Sequence, residues 1–366
     1  MLFAAAIAPV AAVATTPPPP VVIVSPQTST PRQQFVAVLK PVDGRCDDGA
    51  LDISVIEKPS VQLLWTPNQP AEMPITLSFR IDESGRVLGL KREPGGYGVF
   101  PDLSPSLAAT RFASGEARYG CSIRYSREQT SIAGASTDDL IAYSSTTRLR
   151  PPRELFDRLS PKGSDCYPKR PAVLLQAYPE FDRIPATAGR TDWSMVKFDI
   201  DNSGKPVAVG IHATSGNKAL DKASIEAIAK SRYAKGAKKG CLYPYWRAAG
   251  PVAAPESPEI SAYSGGEGQC PVDVEWKSKP ALVYPDNFRR RAIEGWAIVA
   301  FDVAPWGATG NVKLVAAEPA TEFGDVALNI VRAATVATTE KGYSGCFEKI
   351  RYVMKPQRSS DDEITE

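Results

Sequence analysis

Apolar residues recur at every second position in three separated stretches: Ile75, Leu77, Phe79 and Ile81; Val196, Phe198 and Ile200; Val299, Phe301 and Val303. A period of two predicts strands with one face buried and the other exposed. Each stretch runs into a Gly-containing turn, at 82–85, 201–204 and 304–307. A second β-prone run follows, near Val87 to Leu90, Val207 to Ile211 and Val312 to Val315. Gly supplies the backbone angles that such turns require, so each stretch is expected to open as a β-hairpin.

The pattern then changes to a helical one. Phe323, Val326, Ala327, Ile330, Val331 and Ala334 form one apolar stripe, with Thr321 as the expected N-cap. Leu220, Ala223, Ala227 and Ile228 do the same after Asn217. In the first stretch, Ser104-Pro105 reads as a cap and first-turn pair before a short helix carrying Leu107 and Ala108. A last β-prone segment closes each copy, starting at Cys121, Cys241 and Cys346, each preceded by Gly.

A lone hairpin cannot bury its apolar face, and a helix laid across a small sheet solves that problem. The expected fold class is therefore α+β, with three tandem units in β-β-α-β order. The units span 31–128 (divergent), 151–250 and 258–356. Pro151-Pro152 and the Pro/Gly/Ser-rich stretch 251–268 read as linkers, and 357–366 as an acidic tail.

The six cysteines follow the same repeat. Cys46 and Cys121, Cys166 and Cys241, and Cys270 and Cys346 lie 75, 75 and 76 residues apart. Six cysteines allow 15 pairings. Only the within-unit scheme gives each copy the same cross-link, joining a leading segment to the start of the closing strand. Chain entropy makes each such link worth roughly 4–5 kcal/mol. No pair has the short spacing of a zinc site, and His212 is the only histidine. No metal or other cofactor is expected.

Disulfides persist outside the cytosol, and the N-terminus agrees with that. Residues 2–14 are apolar and small and end in Ala12-Val13-Ala14, so 1–14 reads as a signal peptide. An uncleaved inner-membrane anchor is the alternative. Residues 15–30 form a Pro-rich extended segment, in which Pro17–Pro20 reaches only about 12 Å. With 43 basic and 41 acidic side chains, no net field attracts nucleic acid or an anionic membrane.

The residues also argue against catalysis. His212, Ser215 and Asp221 could be drawn as a triad, yet no nucleophile-elbow motif surrounds Ser215 and the other copies lack the histidine. Asp199, Asp201 and Asp302 make no carboxylate pair for glycoside chemistry, and no phosphate-cradling Gly motif occurs. Neither an enzyme activity nor a small-molecule substrate is expected. Trp296 reads as packing and Trp306, in a turn, as the better exposed contact.

These residues carry a family resemblance. Tyr178-Pro179, Phe198 to Gly204, Ser215-Gly216, Leu220-Asp221 and the helix ending near Tyr233 resemble the TonB C-terminal domain. So do Tyr284-Pro285, Gly295, Phe301-Asp302, the helix from Phe323 and the strand running to Met354. The first copy resembles it more loosely, with Trp65-Thr66-Pro67 near the opening position. The resemblance implies a periplasmic module that takes an extended segment of an envelope protein, such as an outer-membrane transporter, onto a sheet edge. It links the module to transmembrane transport.

Phe347, Lys349, Ile350, Arg351 and Tyr352 are the expected peptide-binding edge. The competing reading is an envelope scaffold whose units stack or self-associate. The short Pro tract departs from a full energy transducer. Neither the partner's identity nor the oligomeric state follows from the sequence.

Overall fold

The period-two stretches form strands because their β-branched and aromatic side chains alternate between a core and an outer face. The computed structural model describes residues 34–65, 75–93, 100–146, 152–166, 171–263, 270–271 and 274–354. The expected signal peptide, the Pro-rich segment, Thr66-Pro67, Pro151 and the acidic tail lie outside the described residues.

The first part of the chain contributes β1 (Phe35–Cys46), β2 (Gly49–Ala50), β3 (Gln62–Leu64), β4 (Ile75–Ile81), β5 (Val87–Arg92), α1 (Leu103–Ala109) and β6 (Arg118–Ser131). Two helices follow, α2 (Thr137–Thr146) and α3 (Arg153–Leu159). The middle part contributes β7 (Val173–Leu175), β8 (Asp192–Ile200), β9 (Pro206–Thr214), α4 (Lys218–Lys230), β10 (Arg232–Tyr233) and β11 (Lys238–Arg247). The last part contributes β12 (Trp276–Ser278), α5 (Asp286–Arg290), β13 (Gly295–Val303), β14 (Thr309–Glu318), α6 (Thr321–Ala333), β15 (Thr335–Val336) and β16 (Tyr343–Tyr352).

The architecture is α+β with small antiparallel sheets, and all three disulfides join the cysteines of one part: Cys46–Cys121, Cys166–Cys241 and Cys270–Cys346. Strand order is β2-β1-β6-β4-β5 in the first sheet, β11-β8-β9 in the second and β14-β13-β16 in the third. The first strand of each hairpin is thus central, between its hairpin partner and a later strand.

The three hairpin turns are held alike. Gly85, Gly204 and Gly307 have φ of 79°, 89° and 89°. Their carbonyls accept from Phe112, Tyr233 and Val336 N–H at 2.9, 2.9 and 2.8 Å. Each turn is therefore tied to the residues just after the helix.

Several expectations are corrected by long-range packing. Trp193 and Met195 of β8 are buried together with Val36, Leu140, Ile141, Leu155 and Leu159. The start of β8 is therefore covered on both faces, because α2 and α3 lie against the side opposite α4. β13 is likewise buried on both faces at its start, where Trp296 donates its indole N–H to Pro255 O at 3.0 Å. The stretch after Pro251 is not a free linker. Val252 exchanges backbone hydrogen bonds with Ala292 and Glu294 at 2.8 and 2.9 Å.

Helix caps shift too. Asn217 caps α4 as expected, accepting from Leu220 N–H at 3.1 Å. The residue preceding α6 is Ala320 rather than Thr321, and Asp102 rather than Ser104 precedes α1, neither making a side-chain cap bond.

The first and third sheets share one core, in which Leu77, Leu90, Leu103 and Ile123 join Ile293, Val299, Phe323 and Val331. At their seam Glu318 accepts from Gly89 N–H at 2.6 Å and from Arg80 at 2.8 Å. Burial pushes the Glu318 carboxyl up, a shift opposed by the Gly89 N–H, Arg80 and Lys91.

Candidate functional site

The three closing strands, β6, β11 and β16, present their outer edges differently. β6 is covered by β1 in a ladder from Phe35↔Ser131 to Arg45↔Ser122. β11 and β16 end their sheets, and among the described residues no strand pairs beyond either. The two align through their cysteines, since Cys241 stands opposite Phe198 and Cys346 opposite Phe301. In that alignment Pro244 of β11, opposite Met195, corresponds to Lys349 of β16, opposite Ile298. Proline has no N–H to donate and is tolerated in a sheet where its nitrogen faces away from the ladder. β11 is thereby blunted at this point, while β16 has no proline along its length.

The expected edge residues of β16 split by face. Ile350 and Tyr352 are buried, and Tyr352 Oη donates to Phe323 O at 3.0 Å. Burial pushes the Tyr352 phenol up. Phe347 is half-buried, its ring 6.5 Å from that of Tyr263. Lys349 donates to Pro258 O at 3.1 Å and lies 3.6 Å from Glu259. Arg351 is exposed.

A cavity of about 350 Å3 flanks this strand, lined by Lys279, Pro280, Leu282, Ile330, Lys349, Ile350 and Arg351. Lys279 pairs with Glu348 and stands 5.2 Å from the Trp276 ring centroid. The surroundings of the strand are thus cationic at the rim and apolar beneath.

Two acids not expected to matter hold the entry to the closing strands. Asp199 accepts from Gly240 N–H at 2.7 Å, and Asp302 from Gly345 N–H at 3.0 Å. The Asn311 side chain and this N–H hold the Asp302 carboxyl below its ordinary value. The shared Gly-Cys step was the sequence signal for this contact.

The triad drawn around His212 is spent on structure. Ser215 Oγ accepts from Trp193 N–H at 2.9 Å, and Asp221 accepts from buried Ser194 Oγ at 2.8 Å. Asp192, wholly buried, accepts from Thr187 at 2.6 Å and Asn217 at 2.8 Å. These groups fix the start of α4. Trp296 is buried, and Trp306 is 74% exposed in its turn. Among the described residues no group of three or more His, Cys, Asp or Glu is placed to hold a metal ion, and no helix is long and apolar enough to cross a membrane.

No curated protein matches the chain. The spent triad, with the family match below, is consistent with a non-enzymatic protein. The matched stretches take in the second hairpin with α4 and most of β11, and the third hairpin with α6 up to Gly345; the first hairpin lies outside both. Two stretches of the chain, 177–246 and 280–345, match the family described as Gram-negative bacterial TonB protein C-terminal.

Proposed function

We propose that this chain is a non-enzymatic, periplasmic interaction module of three tandem TonB C-terminal-like units that binds an extended segment of an envelope protein by β-strand addition. The receptive edge is β16, at Phe347 to Tyr352, and the partner class is an outer-membrane transporter, which links the module to transmembrane transport. One observation carries the choice of edge. Of the three closing strands, β6 is covered by β1, β11 carries Pro244, and β16 has neither obstacle. An end strand beside a cavity with a cationic rim and an apolar floor suits an extended peptide with alternating side chains.

The test is calorimetric titration of the whole chain with synthetic peptides copying the extended N-terminal segments of outer-membrane transporters. Lys349→Pro gives β16 the residue that β11 already carries at the matching position, so the sheet tolerates it. Binding should fall by roughly tenfold or more in that variant, the loss of about 1.4 kcal/mol, and persist in Lys349→Ala. Equal binding by Lys349→Pro and the native chain would refute the edge assignment.

A second reading, an envelope scaffold, draws support from the core shared by the first and third sheets. It predicts oligomers that grow with concentration in sedimentation velocity and no affinity for the peptides.

A further inference from the structure

A second cavity, of about 310 Å3, lies between α3 and β11. Its walls include Phe156 and Leu159 of α3, Val173 of β7, and Leu242, Tyr243 and Trp246 of β11. No Lys, Arg, Asp, Glu or His belongs to its described lining. Three serines reach it, but each hydroxyl donates to a backbone carbonyl: Ser144 to Ile141 O at 2.9 Å, Ser160 to Phe156 O at 2.8 Å and Ser164 to Gly240 O at 3.0 Å. A charged group entering here would lose its water and find no counter-charge among the described lining residues, which is costly. An uncharged apolar group loses nothing and gains contact with the aromatic walls.

The mouth is apolar as well. Val173 and Trp246, which both line it, are 51% and 54% exposed. The neighbouring strand edge does not favour a peptide. Pro244 withholds an N–H, and Lys239 O is already taken by Asp165 N–H at 3.2 Å. The volume is about twice the ~150 Å3 of an apolar cavity that takes up benzene.

We propose that this cavity binds a small, uncharged, apolar molecule, of the size of a bicyclic aromatic compound or a medium-length alkyl chain. The molecule is a ligand and not a substrate. It sits between Phe156 and Leu159 of α3 and the β11 side chains, and Val173 and Trp246 form its entrance.

The probe is N-phenyl-1-naphthylamine, a neutral dye that brightens in apolar surroundings, titrated into the intact oxidised chain. One saturable site is expected, displaced by 1-decanol. Val173→Asp and Trp246→Ala change exposed side chains, so circular dichroism should show unchanged melting. Both should weaken the dye by roughly tenfold or more, Val173→Asp by placing a charge at the mouth. Lys349→Pro should bind it as the native chain does, which separates this site from the β16 edge. Unsaturable binding, or equal affinity in both cavity variants, would overturn the proposal.

Discussion

Arg291 grips Asp102 with two charge-assisted hydrogen bonds, Nε to Oδ1 and Nη2 to Oδ2, both 2.6 Å long. The same guanidinium donates to Gly189 O at 3.0 Å and Lys58 O at 2.9 Å. Asp102 in turn accepts from the Ser60 N–H and hydroxyl, both at 2.7 Å. One buried cation from the last part of the chain therefore meets groups from the first and the middle parts. All three nitrogens of the buried guanidinium thus donate to a carbonyl or a carboxylate.

Removing one partner leaves the other charge buried and alone. Arg291→Ala or Asp102→Ala should each cost about 3–5 kcal/mol in urea unfolding, whereas the double change Arg291→Met with Asp102→Leu should recover most of it. A single variant as stable as the native chain would show that the pair is not a junction.

The turn glycines have their own signature. A Cβ on Gly204 would come within 2.1 Å of Tyr233 O, on Gly85 within 2.1 Å of Phe112 O, and on Gly307 within 2.2 Å of Val336 O. All three also need a left-handed backbone. Gly204→Ala should therefore cost about 2 kcal/mol or more in thermal or urea unfolding. Gly236→Ala makes a control, since its Cβ meets nothing within 4 Å although its φ is 126°.

Each disulfide closes a long loop, so the paired change Cys166→Ser with Cys241→Ser should cost roughly 4 kcal/mol in thermal unfolding. Mass measurement of the intact chain should show a gain of two hydrogens per bond on reduction. Peptide mapping should return no link between cysteines of different units.

Acid should loosen the first two hairpin turns before the third. Burial raises the Asp82 carboxyl, but donation from Ser84 and from Arg86 outweighs it and brings the value down to about 2. Asp201 is also lowered, first by the Ser203 hydroxyl. A carboxyl whose folded value lies below its unfolded one stabilises the fold above the unfolded value. That contribution disappears as pH falls from about 4 towards 2. The third turn has Ala304 in this place, and the lowered Asp302 nearby holds the Asn311 side chain and the Gly345 N–H instead of the 304–307 turn amides. Protection against amide exchange, measured relative to the intrinsic rate at each pH, should therefore fall at Gly85 before Gly307 through this range, and Asp82→Asn should remove that pH dependence at Gly85.

Much of the fold was legible because its signals are local. A strand's period, a turn glycine and a helical stripe need only neighbouring residues, and repetition of the cysteine spacing supplied the one long-range constraint. The candidate edge is partly of this kind, since Pro244 marks β11 as an end strand in the sequence itself. The alternation expected for Val196 to Ile200 is present, but the strand begins earlier, and there α2 and α3 bury Trp193 and Met195 on the other face.

By itself the sequence determined the hairpin and closing strands, their turns and the pairing of cysteines, because each shows in a local pattern or in a repeated spacing. Tertiary structure alone decided that β1 covers β6, that no strand among the described residues pairs beyond β16, and that Arg291 of the last part joins Asp102 of the first. Those outcomes depend on which surfaces meet. A buried cation finds its counter-charge, and a sheet edge its cover, only when distant parts of the chain are brought together.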